Sequence, residues 1–243
     1  MDSSLRSSLA LRRIDLLAGL GEPRLQALAQ RCRWQHVPAE RPLLLRAQDR
    51  GEVFLLVSGL VRVTTYAANG RQVTFRDLGA GEVLGDIAAL DGQPRSADVL
   101  TLEDSVVAVL ERSDFLALLR EEPELALRVM QRLATLVREL SERVIELSTQ
   151  GVQNRLHAEL LRLARLAGVA DNQARLAPAP RHLELAARVS TNREQVTREL
   201  NALVRAGLLQ KQGGALVLTD VAQLTRMVAQ VRGEAAPAPA PLS

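Results

Sequence analysis

Cysteine and aromatic residues are scarce in this chain of 243 residues. The single cysteine, Cys32, excludes an internal disulfide framework and every metal or iron–sulfur site that needs several cysteines of one chain. Aromatic residues make up 2% of the sequence and apolar residues 47%, so the cores must consist mainly of Leu, Val and Ala. The length suffices for two ordinary domains.

Long hydrophobic runs and a secretion signal are also missing. No apolar stretch approaches the roughly 20 residues that a membrane-spanning helix requires. The N-terminus lacks the basic stretch followed by an apolar stretch that is typical of signal peptides. We therefore expect a cytoplasmic protein without a membrane segment.

Positive charge is unevenly distributed, although the net charge is only +3. Residues 155–232 contain 12 Lys plus Arg and 6 acidic residues, whereas residues 1–154 contain 19 Arg and 21 acidic residues. A basic C-terminal third is typical of a module that faces phosphates. A solvated basic surface has the same composition, so charge alone does not decide between the two.

The pattern of turns and apolar residues predicts an α+β protein. From Trp34 to about Val109, short runs of Leu and Val alternate with turn signals, of which Asn69-Gly70 is the clearest hairpin signal, and this spacing predicts a β sandwich or roll. The predicted segments are N-terminal helices and a β-roll domain (1–123), a long helix that we expect to dimerise (124–150), a winged helix-turn-helix domain (151–232) and a disordered Ala- and Pro-rich tail (233–243).

Residues 182–203 predict two short helices that meet at a Ser-Thr-Asn break. Asn192 is a good N-cap for the second helix, and Val196, Leu200 and Leu203 follow it at the spacing of a buried face. The outward face then carries Arg193, Glu194, Gln195, Thr197 and Arg198. Arginine can bond guanine and glutamate can bond cytosine in the major groove, so this helix suits DNA readout. The alternative is an ordinary helix pair with a charged solvent face.

Two further patterns complete the C-terminal half. Residues 208–218 read as a two-stranded wing with Gly213-Gly214 at its tip. Within the long helix, apolar residues are spaced alternately by three and four, which is the heptad seam by which two helices bury a shared stripe. We expect this seam to be the dimer interface, and it comprises Met130, Leu133, Val137, Leu140, Val144 and Leu147.

Residues 85–97 look like a phosphate-binding cassette. Gly85 at the start of a short helical turn would let backbone N–H groups approach an anion closely. The neighbouring Asp86 can accept bonds from sugar hydroxyls. Arg95 can pair with a phosphate through two donors, and Ser96 adds a hydroxyl bond.

Taken together, these motifs resemble the family of the cyclic-AMP receptor protein and the fumarate–nitrate reduction regulator. The resemblance extends over roughly residues 14–230 and includes the Leu-Val-Ser-Gly-Leu-Val-Arg-Val run at 56–63. It implies an N-terminal double-stranded β-helix that resembles cyclic-nucleotide-binding rolls, a dimerising helix and a C-terminal winged helix-turn-helix. It also implies a homodimeric transcription regulator whose partners are double-stranded DNA, a small-molecule effector and RNA polymerase.

The resemblance places an effector, cyclic AMP or another cyclic nucleotide, beside the cassette. Gly85, Arg95 and Ser96 match the family pattern, whereas Asp86 replaces a glutamate that holds the ribose 2′-hydroxyl. On the long helix, Leu140-Ser141 stands where the family's cyclic-AMP receptor has Thr-Ser, so one bond to adenine is lost and Ser141 remains as a contact across the dimer. The expected effector-binding residues are Gly85, Asp86, Ile87, Ala88, Arg95, Ser96 and Ser141.

These departures leave alternatives open. The effector could be a cyclic dinucleotide, or the regulator could need no effector. Arg95 could then be a structural residue paired with Asp86 or Glu103. Whether the regulator activates or represses is not encoded in these motifs.

The resemblance also implies a DNA target. The Arg-Glu-x-x-x-Arg pattern stands here as Arg193, Glu194 and Arg198, which implies half-sites related to TGTGA within a palindrome. Thr191, Asn192 and His182 would hold neighbouring phosphates and set the register of binding.

Three rival functions remain. A cyclic-nucleotide-binding module that acts on proteins would share the roll but would not need a basic helix-turn-helix. A haem or iron–sulfur sensor lacks ligands, because Cys32 is alone and we interpret His36 as a surface histidine in a loop. An enzyme is disfavoured because no catalytic constellation is visible, so we assign no catalytic residue and no metal ligand.

Overall fold

The computed structural model describes residues 8–67 and 70–232. Its contacts divide the chain into an N-terminal unit that ends at Arg138 and a C-terminal unit that begins at Glu139. The division falls within one long helix. Asn69 of the predicted hairpin turn and the predicted tail at 233–243 lie outside the described residues.

Among the residues that the structure describes, eight short strands form the β domain. They are β1 (Arg33–Val37), β2 (Pro42–Leu44), β3 (Val53–Ser58), β4 (Leu60–Tyr66), β5 (Gln72–Gly79), β6 (Val83–Leu84), β7 (Asp98–Thr101) and β8 (Ser105–Leu110). One sheet has the order β1-β8-β3-β6 and the other β2-β7-β4-β5, with every pair antiparallel. The predicted hairpin is present, since β4 and β5 pair from Leu60–Gly79 to Tyr66–Gln72.

Alternation along β3 and β8 places apolar side chains on both faces of the first sheet, so each face packs a core. Val53, Leu55 and Val57 pack with the helices, and Phe54 and Leu56 pack into the roll against the second sheet. The helices of this unit are α1 (Ser8–Leu11), α2 (Glu22–Arg31), α3 (Asp86–Asp91) and α4 (Arg112–Glu121), with a 3-10 turn at Asp15–Leu17. The long helix α5 (Pro123–Thr149) begins in this unit and ends in the C-terminal unit.

The C-terminal unit forms one apolar core around a helix-turn-helix. Its elements after α5 are α6 (Val152–Ala167), β9 (Ala174–Leu176), α7 (His182–Arg188), α8 (Arg193–Arg205), β10 (Leu209–Gln212), β11 (Ala215–Leu218) and α9 (Val221–Arg232). The strands pair in the order β10-β11-β9, and the wing turns at Gly213-Gly214, both at positive φ. Leu185, Val196 and Leu200 lie at the centre of the core.

The predicted α+β architecture of roll, long helix and winged helix-turn-helix is confirmed. One local interpretation was wrong. His36 lies within strand β1 and not in a loop, because the ladder to β8 extends to Val37. Helix α6 begins at Val152, and Gly151 is its N-cap in an extended conformation.

Candidate effector cavity and DNA-binding surface

The cassette begins where β6 turns into α3. Gly85 caps α3 with φ +78°, a left-handed conformation that favours glycine. A Cβ atom at this position would lie 2.3 Å from Nη1 of Arg95 and 2.8 Å from the carbonyl oxygen of Glu52. Glycine is therefore required here both for the turn and for the close approach of the arginine.

Arg95 is the buried cation of the cassette, with only 4% of its surface exposed. Its Nη1 donates to the Gly85 carbonyl at 3.0 Å and its Nη2 to the Glu52 carbonyl at 2.6 Å. The guanidinium lies over the Phe54 ring, 5.9 Å from the centroid. Nε is buried and has no hydrogen-bond partner among residues 8–67 and 70–232, so a donor remains available for an anion.

Burial lowers the pKa of Arg95, whereas the charges of Glu52 and Asp86 raise it. An arginine nonetheless stays protonated in proteins. The expected alternative of an ion pair with Asp86 or Glu103 was wrong. Among the described residues, both bonds of the guanidinium go to backbone carbonyls.

Asp86 has another partner. Its Oδ2 accepts from Nε of Arg132, on α5, at 3.2 Å. The same guanidinium also contacts Glu82 at 2.5 Å and the Val83 carbonyl at 2.7 Å. The carboxylate expected to bind a sugar is thus held by a residue of the long helix.

A cavity of about 80 Å³ lies beside the cassette. Binding sites for drug-sized ligands are typically about 300–1,000 Å³, so this volume suits a phosphate-sized group and is smaller than a typical nucleotide site. Its lining includes the sequence-predicted residues Gly85, Asp86, Ile87, Ala88, Arg95 and Ser96, together with Arg76 and apolar side chains of both sheets. The structure therefore brings together every predicted effector residue except Ser141, which lies exposed on α5.

The heptad seam of α5 is mostly exposed in the single chain. Met130 is 58%, Val137 62% and Val144 62% exposed, and Leu140 and Leu147 are also exposed. Leu133 differs, because it is partly buried and packs against the core of the N-terminal unit. One residue of the seam therefore packs partly on this core.

The recognition helix α8 begins as the sequence predicts. The Asn192 side chain accepts from the Gln195 amide at 2.8 Å, and the predicted buried face of Val196, Leu200 and Leu203 is confirmed. Arg193 and Glu194 are exposed in the first turn. Arg198 is exposed one turn later and donates to the Gln195 side chain at 2.7 Å.

Other residues that we predicted to bind DNA are buried or form hydrogen bonds within the domain. Thr191 is 6% exposed, so its side chain does not join the exposed set. Thr197 donates to the Arg193 carbonyl, and its hydroxyl lies 2.7 Å from Nδ1 of His182. Burial, followed by the charges of Lys211 and Arg193, lowers the pKa of His182.

The turn between α7 and α8 passes through Ser190, which has φ +55°. Two arginines hold the chain just before this turn. Arg155 donates to the Val189 carbonyl at 3.0 Å, and Arg143, near the end of α5, donates to the Arg188 carbonyl. These bonds satisfy carbonyls at the end of α7 that have no partner within the helix.

Sequence reasoning missed Arg132 and Lys211. Arg132 is one of many arginines in a helix pattern, and no local signal connects it to a residue 46 positions earlier. Lys211 could have been noticed, because it is the only lysine of the chain and stands in the predicted wing. It lies exposed in β10 and, with His182, lines a cavity of about 330 Å³ between the wing and α7.

Residues 8–67 and 70–232 contain neither a cluster of metal ligands nor a membrane-spanning helix. In these ranges, no group of three or more His, Cys, Asp or Glu side chains is placed to hold a metal ion. None of the helices is both long and apolar enough to cross a bilayer.

Comparisons with known proteins identify both halves of the chain. Residues 35–122 match the cyclic nucleotide-binding domain, and residues 154–227 match the Crp-like helix-turn-helix domain. The cyclic AMP receptor protein of Thermus thermophilus is 33% identical over 189 residues, which are 77% of this chain and 84% of that protein.

Solved structures of other regulators share the fold of this chain. A CRP/FNR-family transcriptional regulator from T. thermophilus is 27% identical with a TM-score of 0.64, and 81% of this chain and 98% of that chain are covered. The c-di-GMP-responsive regulator CLP of Xanthomonas campestris is 19% identical and shares the fold with a TM-score of 0.72, covering 87% and 99% of the two chains. The chain belongs to the CRP/FNR family of DNA-binding transcription regulators, which are not enzymes.

Proposed function

We propose that this regulator is a cytoplasmic homodimer that reads a DNA palindrome with TGTGA-like half-sites under the control of a cyclic nucleotide bound in the β roll. The observation that carries the proposal is the start of α8. There Asn192 caps the helix while Arg193, Glu194 and Arg198 remain exposed above a buried apolar face. Arginine to guanine and glutamate to cytosine are the pairings that such a helix can make in the major groove.

A phosphate-bearing effector fits the chemistry of the cassette. Arg95 is buried with an unused Nε donor, Ser96 is exposed at the same cavity, and Gly85 leaves the space that the guanidinium occupies. We place residues 1–123 in the sensing domain, 124–150 in the dimerisation helix and 151–232 in the DNA-binding domain. Ser141 would complete the effector site from the second subunit.

Cyclic AMP is the first effector to test, because a relative that is 33% identical is named a cyclic AMP receptor protein. The alternatives are a cyclic dinucleotide and an effector-independent regulator. Asp86 is one methylene shorter than the family's glutamate and is already bonded to Arg132, which favours keeping these alternatives in the experiment. RNA polymerase is the partner through which such a regulator would act.

The dimer would form along α5. An exposed apolar stripe at heptad spacing consists of Met130, Val137, Leu140, Val144 and Leu147. The same stripe of a second copy would cover these side chains and remove them from water. Burying apolar surface stabilises association by about 25 cal/mol per Å². A two-fold dimer would also place two recognition helices about one DNA turn apart.

The DNA proposal is tested by fluorescence anisotropy with a labelled TGTGA palindrome at fixed salt. We expect Arg198→Ala to lose discrimination against a changed guanine position, whereas Arg205→Ala, exposed at the end of the same helix, should retain it. Equal affinity of the unaltered protein for the palindrome and for a scrambled duplex would refute the TGTGA assignment.

The dimer proposal is tested by light scattering of the full chain. Val144→Arg places a charge in the proposed seam and should yield monomers. Thr135→Arg adds the same side chain at an exposed position outside the heptad stripe and should leave the dimer intact. A dimer that survives Val144→Arg would mean that the interface lies elsewhere.

A further inference from the structure

Arg132 makes three contacts with residues 82–86, the short segment that leads into the cassette. Its Nε lies 3.2 Å from Oδ2 of Asp86, its Nη1 2.5 Å from Oε2 of Glu82, and its Nη2 2.7 Å from the Val83 carbonyl oxygen. The guanidinium belongs to α5, and its three acceptors lie within residues 82–86, a segment that ends at the effector cavity. The guanidinium therefore fastens the start of α3 to the long helix.

The positive charge of Arg132 lies between the negative charges of Glu82 and Asp86. Asp86 and Glu82 would repel each other without an intervening cation, and both are substantially shielded from water. Burial opposes the charge of Arg132, but the bonds and charges of Glu82 and Asp86 outweigh it and raise its pKa. Charge-assisted bonds of this kind are each stronger than neutral ones. Removing the guanidinium would leave two close carboxylates beside the cavity.

Arg132 also lies on the side of α5 that packs against the N-terminal core. It follows Leu125 by seven residues and Val129 by three, so it shares their face of the helix. Leu125 and Val129 are 0% and 3% exposed. Met130 and Val137, which belong to the exposed seam, lie on another side. A rotation or shift of α5 that repacks the seam must therefore also move Arg132 relative to Asp86.

We propose that Arg132 is a positioning residue of the effector site. It holds the Asp86 carboxylate and couples the binding of an effector in the cavity to the position of α5. A ligand hydroxyl that bonds Asp86 competes with or realigns the bond from Arg132 Nε, and the helix responds through that side chain. The proposal deepens the proposed function, since it names the residue by which an effector in the cavity would reach the dimerisation helix.

The first test needs no ligand and measures hydrogen–deuterium exchange of the full chain. Arg132→Gln and Asp86→Ala should each speed exchange about tenfold in residues 83–91 and also in α5, which is the scale expected for loss of a charge-assisted bond. The double variant should show no further increase. Arg128→Gln is the matched control, because Arg128 donates one turn earlier on the same helix to the Leu16 carbonyl at 3.0 Å and does not contact the cassette.

Two outcomes would overturn the coupling. In the first, exchange rises in residues 83–91 but not in α5. In the second, the effects of the two single variants simply add in the double variant. An Arg132→Lys variant separates charge from geometry. Lysine keeps the charge but cannot bridge three acceptors, so it should restore part of the protection.

The second test measures the affinity for the labelled palindrome with and without cyclic AMP. If cyclic AMP strengthens binding in the unaltered protein, Arg132→Gln should bring the ratio of the two affinities close to one, whereas Arg128→Gln should preserve it. An unchanged ratio in Arg132→Gln would refute the proposal. If the unaltered protein does not respond to cyclic AMP, the effector assignment fails by itself, and the exchange data alone decide the role of Arg132.

Discussion

Substitution of Gly85 by alanine tests the geometry of the cassette. Gly85 has φ +78°, and its Cβ would lie 2.3 Å from Nη1 of Arg95 and 2.8 Å from the Glu52 carbonyl oxygen. The left-handed conformation alone costs a non-glycine residue about 1–2 kcal/mol. Relief of the contact with Nη1 requires Arg95 to shift from its carbonyl partners, and each lost bond to a charged group costs about 1.5–3 kcal/mol. Relief of the contact with the Glu52 carbonyl oxygen requires the backbone itself to shift.

Gly70 supplies the control for this substitution. Its φ of +76° matches that of Gly85, yet a Cβ there would meet no atom of the described residues within 4 Å. Gly70→Ala therefore measures the conformational cost by itself. We expect Gly85→Ala to destabilise the N-terminal unit by about 2–3 kcal/mol more than Gly70→Ala does, provided that at least one Arg95 bond is lost.

Urea unfolding followed by tryptophan fluorescence measures this difference. Trp34 is the only tryptophan, packs against the N-terminal core and donates to the Ala29 carbonyl at 3.1 Å, so its signal reports on this unit. Equal free energies of unfolding for the two variants would show that Arg95 does not occupy the space above Gly85. The account of the cassette would then be wrong.

Further predictions concern the C-terminal unit. His157 is 2% exposed and burial lowers its pKa, so the unfolded chain binds a proton at higher pH than the folded chain does. The stability of this unit should therefore fall as the pH drops below about 6.5, the value of a free histidine, and His157→Leu should remove that decline in thermal unfolding by circular dichroism. Arg198→Ala should cost about 1–3 kcal/mol of discrimination at one base pair in each half-site, and a uniform loss of affinity across all sequences would contradict base readout. His182 has a lowered pKa and is neutral at pH 7 in the free protein. Because a nearby DNA phosphate favours the protonated ring, the affinity for DNA should rise from pH 8 to pH 6 at constant salt. His182→Gln should abolish that rise, and a variant that keeps it would exclude His182 as its source.

The sequence predicted best those features that depend on neighbouring residues. The cap at Asn192, the buried positions of α8 and the β4–β5 hairpin are all local patterns, and the structure contains each of them. The left-handed Gly85 at the start of α3 belongs to the same class. Fold class followed because these local units occur in one order along the chain.

Contacts between distant segments could not be predicted in the same way. Arg132 meets Asp86 across 46 positions, and Arg95 meets Glu52 across 43. An arginine has five donors on a long flexible chain, so its partner depends on which acceptors the fold brings within reach. For the same reason the ion pair expected for Arg95 was wrong, and Leu133 proved to pack partly on its own domain.

The most direct test of the central claim is the affinity for a labelled TGTGA palindrome at fixed salt, measured by anisotropy with and without cyclic AMP. The account predicts tight binding that cyclic AMP strengthens, and by linkage the DNA must then strengthen cyclic AMP binding by the same factor. Tight binding that cyclic AMP leaves unchanged would keep the DNA-reading helix but contradict control of this regulator by cyclic AMP.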